Sequence, residues 1–299
     1  MDSVIDHARE ADADPSAPPG PADALALCCL AQCDFGVLGA VRGADGMRVA
    51  DLGALARCRF LYRHSLHPRL DRRMLVAAAS SPRFAPLTCA HAVDRWSARP
   101  LSQFSALTLR APGGVGSPAM VVFRGTDRSW QGWAEDAAMG LSFPLPGHRA
   151  AARYLAFAAE RHPGPLFVMG HSKGGNLAEY ALASLLRARP CDAERIRLFS
   201  LDAPGFPAPL VRSGFFEANA ASASRVRIPG SWVSVLFDQP GPARFVRSGL
   251  PGPMGHDPYT WVVEGGDFVP APAPGRVPRA VGAAVDRALG VRPIRITRP

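Results

Sequence analysis

Regular patterns of apolar and polar positions are clearest between residues 104 and 268 of this 299-residue chain. Short apolar runs bounded by glycine and proline predict strands, and apolar residues at every third or fourth position predict helices. The predicted strands cover residues 104–110, 119–123, 165–170, 196–202 and 225–229, with a last one in 259–266, and the predicted helices cover 148–162 and 176–189. The turn PGGVGSP between the first two strands predicts a hairpin. Strands that alternate with helices predict an α/β fold with a mostly parallel central sheet and helices on both faces.

The pattern is weaker toward both ends of the chain. Residues 22–33 have the composition of a helix, and the Arg-rich stretch up to about residue 100 indicates one or two more helices. The first twenty residues are acidic and then rich in proline and alanine, which predicts disorder. We therefore divide the chain into a disordered segment at 1–20, an α/β domain at 21–269, and a Pro-rich tail with a short helix at 270–299.

The formal net charge of +9 raises the question of a nucleic acid or a membrane surface as partner. The positive charge is almost all arginine, spread along the chain without a dense basic run or the interleaved aromatic residues of RNA-binding proteins. This distribution predicts a solvated basic surface and no nucleic-acid partner. Transient contact with acidic membrane lipid stays open as the more specific alternative.

Three features predict a cytoplasmic protein. The N-terminal segment has no apolar core of a signal peptide, and no run of about 18 apolar residues predicts a membrane span. The six cysteines, at positions 28, 29, 33, 58, 89 and 191, lack the paired spacing of metal ligands. We expect them to be reduced and mostly buried.

The segment FVMGHSKGGNLA contains the strongest candidate for catalytic chemistry, Ser172. A Gly-x-Ser-x-Gly pattern alone is weak, but here a short apolar strand ends at Gly170 and a helix begins just after the serine. This strand–turn–helix is the setting of a nucleophile elbow. The serine needs a strained turn, so Gly170 and Gly174 at two positions on either side have to be nearly free of side chain. The helix N-terminus directs free N–H groups toward a developing oxyanion.

A serine nucleophile needs a base, and His256 is the only histidine after the elbow in the chain. It lies in a Gly/Pro-rich loop before the last predicted strand, where the fold would bring it to the carboxyl edge of the sheet. The turn Arg124-Gly125-Thr126 follows the apolar run that ends at Phe123. Thr126 there and the backbone N–H of Lys173 are the candidate oxyanion donors.

Together these motifs resemble the class 3 (fungal-type) lipases. The resemblance lies in VVFRGTD followed by Trp133 and Asp136, in GHSKGGNLA, in SLDAPGF and in GHDPYTW, and it covers roughly residues 22–268. The chain resembles a bacterial branch of the same α/β-hydrolase superfamily more closely still. The resemblance implies an α/β-hydrolase-like fold, with Ser172 as nucleophile, His256 as base, and Thr126 and Lys173 as oxyanion donors.

The acid of the triad is where the chain departs from this pattern. Class 3 lipases are expected to place an aspartate after the proline-glycine corner, but RVRIPGSWVSV contains no carboxylate. Asp202, at the end of a predicted strand, is favoured narrowly over Asp238 in the loop after SWVSVLF. Asp257 is disfavoured because it is adjacent to His256. If neither Asp202 nor Asp238 serves, a Ser-His dyad or an inactive site remains.

Lys173 is the only lysine in the chain, and it stands directly after the candidate nucleophile. A cation in the first turn of a helix costs roughly 0.3–1 kcal/mol, so a partner or a role is expected. Three interpretations stay open: an ion pair with Asp202 or Asp127, recruitment of an anionic substrate group, or a solvent-facing side chain with no role.

The sequence thus predicts a serine hydrolase that cleaves carboxylic, lipid-like esters through an acyl-enzyme, without a metal or organic cofactor. The expected partner is a small-molecule or lipid ester. Two alternatives remain: a non-catalytic binding protein with the same fold, since fold does not fix function, or a hydrolase acting on thioesters or amides.

Overall fold

The computed structural model describes residues 2–99, 101–129 and 143–273. The described helices are α1 (Val4–Glu10), α2 (Pro21–Leu30), α3 (Gly39–Arg42), α4 (Val49–Ala54), α5 (Pro68–Ser80), α6 (Pro146–Arg161), α7 (Lys173–Ala188) and α8 (Ala208–Arg212). The strands are β1 (Met47–Arg48), β2 (Thr88–Ala98), β3 (Leu101–Arg110), β4 (Ala119–Phe123), β5 (Leu166–His171), β6 (Ile196–Leu201), β7 (Ala223–Arg227), β8 (Arg244–Phe245), β9 (Val263–Glu264) and β10 (Asp267–Phe268). Trp133, Asp136 and the predicted helix near residues 280–289 lie outside the described residues.

Strands β1 to β8 form one sheet whose spatial order follows the chain. The pairings from β1 to β4 are antiparallel, and those from β4 to β8 are parallel. The α/β prediction and the β3–β4 hairpin are therefore confirmed. The last predicted strand instead forms the small separate β9–β10 hairpin, and the apolar run SWVSVLF contains a short 3₁₀ turn at Val233–Val235.

The central strands are apolar on both faces because helices cover both faces of the sheet. Along β5, Leu166 and Val168 belong to the core cluster with α6 and α7, whereas Phe167 and Met169 belong to the cluster with α2 and α5. Helix α7 contacts β4, β5 and β6, and α2 contacts the same strands. Parallel strands in this arrangement place the ends of β4, β5 and β6 side by side at one edge of the sheet.

The expectation of disorder for residues 1–20 is wrong for α1. Ser3 and Asp6 form a capping box at its start, and Val4, Ile5 and Ala8 are buried. The Pro/Ala-rich stretch is also held, because Arg83 donates hydrogen bonds to backbone carbonyls within residues 14–18. A short acidic segment can be ordered when a cap and a few apolar residues dock on a core that lies far away in sequence.

Among the described residues, none of the helices combines the length and the apolar character needed to cross a membrane.

Candidate active site

Ser172 occupies a sharp turn between β5 and α7, with φ of 58° and ψ of −132°. The turn is compact because glycines surround it. A Cβ on Gly170 would lie 2.1 Å from the carbonyl carbon of Gly174, and one on Gly174 would lie 2.2 Å from the carbonyl oxygen of Phe123. No side chain fits in either place, so both predicted glycine positions are fixed by close backbone approach.

His256 ends a 3₁₀ turn, Gly252–His256, that brings its imidazole to the elbow. Its Nε2 lies 2.9 Å from Oγ of Ser172, and its Nδ1 lies 2.6 Å from Oδ2 of Asp202. A carboxylate accepts hydrogen bonds, so Nδ1–H donates to Asp202 and Nε2 is left to accept from the serine hydroxyl. The order Ser, Asp, His along the chain is that of the α/β-hydrolases.

Asp202 directly follows β6 and is fully buried, with a φ of 47°. The backbone N–H of Ile228 donates to its Oδ1 at 3.0 Å. Burial acts to raise the pKa of Asp202, but the hydrogen bond and charge of His256, with hydrogen bonds from Ser231 and Ile228, outweigh it and lower the pKa. The carboxylate is therefore ionised where it faces the imidazole.

The two other candidate acids lie away from Nδ1 of His256. The Asp238 side chain is half exposed and lies 4.0 Å from Nη1 of Arg212. Asp257 accepts from the backbone N–H of Tyr259 and lies 3.7 Å from Nε2 of His67. Of the three candidates, the structure brings only Asp202 to the histidine.

The loop after β4 passes beside the elbow. A Cβ on Gly125 would lie 2.9 Å from the carbonyl oxygen of His171 and 3.5 Å from Cβ of Ser172. Half-buried Thr126 follows at once, and Lys173 is the first residue of α7. Both candidate oxyanion donors therefore flank the serine.

A buried arginine, which the sequence analysis missed, holds this loop. Arg124 lies 2.9 Å from Asp34, 3.1 Å from Asp127 and 3.5 Å from Asp94 through its guanidinium nitrogens. Trp96 donates its indole N–H to Asp127 at 2.8 Å. Arg124 and Asp127 are three residues apart and enclose Gly125 and Thr126. The spacing R-G-T-D is therefore a sequence signal for the ion pair between these two residues.

His171 is a second residue that the sequence analysis missed. It is buried beneath the elbow, and its Nε2–H donates to the backbone carbonyl of His256 at 2.9 Å. The two imidazole rings lie 4.7 Å apart. Burial, and then the neighbouring charge of His256, lower the pKa of His171 to about 3. A neutral His171 therefore ties the His256 loop to the end of β5.

Two further contacts fix the loop that carries His256. Trp261, fully buried, donates its indole N–H to the carbonyl of Gly255 at 3.1 Å. The hydroxyls of Tyr259 and Ser65 both donate to Asp71 in the first turn of α5. Burial raises the pKa of Asp71 to about 6, against the lowering effect of those two hydrogen bonds.

The solvent-facing interpretation of Lys173 is wrong, because the residue is only 2% exposed. Its ammonium donates to Oε1 of Gln103 on β3 at 3.3 Å. Asp202 binds His256 and Asp127 binds Arg124, so the carboxylates proposed as ion-pair partners contact other groups. The lysine thus joins the start of α7 to the antiparallel part of the sheet.

The residues described by the structure contain no cluster of three or more histidine, cysteine or acidic side chains able to hold a metal ion. The six cysteines are free thiols, and four of them are buried.

A mostly parallel sheet with helices on both faces, with a serine elbow and a histidine–aspartate pair at its carboxyl edge, defines the α/β-hydrolase-like class of folds. Within that class the chain belongs to the Mbeg1-like family, whose model matches residues 78–281.

Solved structures similar to the chain include several lipases. A fungal lipase–inhibitor complex has 14% identity and a TM-score of 0.49, over 75% of this chain and 77% of that one. A Rhizomucor miehei lipase propeptide complex has 15% identity and a TM-score of 0.44, over 71% and 75% of the two chains. A triacylglycerol lipase from Penicillium expansum has 14% identity and a TM-score of 0.40, over 63% and 82%. A search among curated proteins finds no match.

Proposed function

We propose that this protein is a serine hydrolase that cleaves carboxylic esters through an acyl-enzyme. One observation carries the proposal. A continuous chain of hydrogen bonds joins the serine hydroxyl, the imidazole and the buried carboxylate. Ser172 Oγ lies 2.9 Å from His256 Nε2, and His256 Nδ1 lies 2.6 Å from Asp202 Oδ2. These are hydrogen-bond distances between a nucleophile, a base and an orienting acid.

In the first half of the proposed reaction, Nε2 of His256 accepts the proton of Ser172 as Oγ attacks the ester carbonyl carbon. The backbone N–H of Lys173, at the helix N-terminus, and Thr126 stabilise the resulting oxyanion. The imidazolium is stabilised by ionised Asp202. It then donates its proton to the leaving alcohol oxygen as the C–O bond breaks, which leaves an acyl-serine.

In the second half, His256 accepts a proton from water, and the hydroxide attacks the acyl-serine carbonyl. Collapse of the second tetrahedral intermediate returns the proton to Ser172 Oγ and releases the carboxylic acid. No step requires a metal or an organic cofactor. The same groups would serve a thioester or an amide, so the choice of bond is tested with matched substrates.

A lipid-like ester is the favoured substrate because large apolar side chains are exposed close to the histidine. Met254, two residues before His256, is 60% exposed, and Trp232 is 53% exposed. A Cβ on Gly230 would lie 3.4 Å from Cα of Gly252, so the loops that carry Trp232 and Met254 are adjacent. An acyl chain is the substrate group that such a surface would contact.

The first test is covalent labelling of the serine with a fluorophosphonate probe. We expect the wild-type chain and Ser213→Ala, at an exposed serine, to be labelled equally, and Ser172→Ala not to be labelled. Hydrolysis of p-nitrophenyl esters should fall by about 10⁴-fold or more in Ser172→Ala. Absence of both labelling and hydrolysis in the wild type would contradict the proposal and favour a non-catalytic binding protein. Parallel thioester and anilide substrates decide which bond is cleaved.

A further inference from the structure

One described segment of the chain combines many exposed arginines with almost no acidic residues. Residues 57–73 hold a single acidic residue, Asp71, and it is buried. The same segment contains six arginines, all of them exposed: Arg57, Arg59, Arg63, Arg69, Arg72 and Arg73. We refer to residues 57–73 as the basic segment.

Helix periodicity explains how part of this charge forms a stripe. Arg69, Arg72, Arg73 and Val76 are spaced three or four residues apart in α5, so they share its outer face. The opposite face of α5 packs into the core through residues such as Met74. The exposed face of α5 is thus a row of three arginines that ends at Val76.

Large apolar side chains lie exposed between these arginines and just after them. Phe60 is 48% exposed, Leu66 is 45% exposed and Val76 is 50% exposed. An arginine-rich surface with exposed aliphatic and aromatic side chains is the composition of an interfacial membrane-binding segment. Nucleic-acid grooves use several aromatic platforms for bases, and of these three side chains only Phe60 is aromatic.

The basic segment borders the candidate active site. The carbonyl of His64 accepts from the backbone N–H of Arg128 at 2.9 Å, two residues beyond Thr126. His67 lies 3.7 Å from Asp257, the neighbour of His256. The segment therefore lies between the loop of the oxyanion donors and the loop of the base.

We propose that the basic segment docks the protein on an anionic lipid bilayer, with Phe60 and Leu66 entering the headgroup region and the arginines contacting acidic headgroups. Met254, three residues before the Asp257 that contacts His67, is exposed as well, and so is Trp232. Docking in this orientation turns the carboxyl edge of the sheet toward the membrane. Binding itself does not depend on hydrolysis, so it stands or fails separately from the proposed reaction.

The test is sedimentation of Ser172→Ala protein, which cannot turn over lipid, with phosphatidylcholine vesicles that contain or lack phosphatidylglycerol. We expect binding to the anionic vesicles, weakened by salt, and much less binding to the neutral ones. Adding Arg63→Gln, Arg69→Gln and Arg72→Gln should weaken binding at least tenfold, since each basic residue near an anionic surface contributes about 1 kcal/mol, or roughly fivefold. Phe60→Ser with Leu66→Ser should weaken it as well.

The matched control replaces three exposed arginines of α6 and α7, across the sheet from α5: Arg153→Gln, Arg161→Gln and Arg187→Gln. It removes the same charge and should bind vesicles nearly as well as the parent. Equal loss in both triple variants, or equal binding to neutral and anionic vesicles, would overturn the proposal. So would retention on single-stranded RNA without vesicle binding. Unchanged turnover of a water-soluble ester by the Arg63/Arg69/Arg72 variant with Ser172 intact shows that the site is preserved.

Discussion

At the residue scale, the candidate site depends on two non-glycine residues with positive φ, Ser172 and Asp202. Such conformations cost of order 1–3 kcal/mol each and persist when the surroundings enforce them. Around Ser172, the enforcing groups are glycines that the sequence displays. Around Asp202 they are the Ile228 amide and His256, which only the folded chain brings together. The sequence therefore predicts the serine directly, whereas it leaves Asp202 and Asp238 as close alternatives for the acid of the triad.

At Gly125, one added methyl group should lower the activity much more than the stability of the protein. Its Cβ would lie 2.9 Å from the His171 carbonyl oxygen, closer than real Cβ contacts. We expect Gly125→Ala to displace the loop that carries Thr126 and to lower kcat/KM for ester hydrolysis by at least tenfold, as loss of an oxyanion donor does.

The matched control for this prediction is Gly39→Ala, because a Cβ at Gly39 meets nothing within 4 Å. Steady-state kinetics and thermal unfolding of both variants supply the measurement. If Gly125→Ala hydrolyses esters as fast as Gly39→Ala, the loop does not contribute the oxyanion donor.

At the element scale, α5 does more than cover the sheet, because its first turn holds the loop of the base. Tyr259, which lies three residues after His256, donates a hydrogen bond from its hydroxyl to Asp71 of α5. We expect Tyr259→Phe to loosen this loop and to lower kcat several-fold to tenfold, with a smaller change in KM, because binding groups are left in place while the base is less well positioned.

Tyr62→Phe is the comparison for Tyr259→Phe. Tyr62 is also buried, and its hydroxyl donates to the Ala56 carbonyl at 2.9 Å and not to Asp71. Both variants should lower the melting temperature, but only Tyr259→Phe should lower kcat. Equal kcat in the two variants would limit Tyr259 to a structural role.

The elements with strong local signals were predictable, and those that depend on distant packing were not. The β5–elbow–α7 unit was predicted because apolar runs, glycines and helical spacing agree there. Strand β2 was missed because a register shift between Ala90 and Val93, with positive φ at His91, interrupts its alternation. Helix α1 was missed because its three buried apolar residues depend on contacts with α5 and α2.

At the scale of the whole molecule, buried titratable groups predict sensitivity to acid. Burial lowers the pKa of His171 to about 3 and that of His148 to about 4. The unfolded chain therefore binds protons below about pH 6.5 that the fold does not, and stability falls as the pH is lowered. Asp71, with its pKa raised to about 6, holds a proton in the fold and acts in the opposite direction between about pH 6 and 4.

The two histidines outweigh the single aspartate, because each pH unit between folded and unfolded pKa values is worth about 1.4 kcal/mol. We expect the free energy of unfolding to fall by roughly 3–5 kcal/mol between pH 7 and pH 4. Urea unfolding at a series of pH values measures it. His148→Gln should flatten this dependence, whereas His67→Gln, at an exposed histidine, should not. A stability that stays constant or rises toward pH 4 would show that the histidines are not held neutral.

The burial of Lys173 also determines how the folded protein meets reagents and modifying enzymes. Every exposed cationic side chain with a permanent charge is an arginine, since the one lysine is 98% covered. Acylation of lysine side chains therefore cannot neutralise the basic surface of the native chain, because guanidinium groups lack the nucleophilic amine that such chemistry uses. The ε-amine becomes reactive only when the packing around the start of α7 opens. A single side-chain amine thus reports the opening of the elbow on which the proposed chemistry depends.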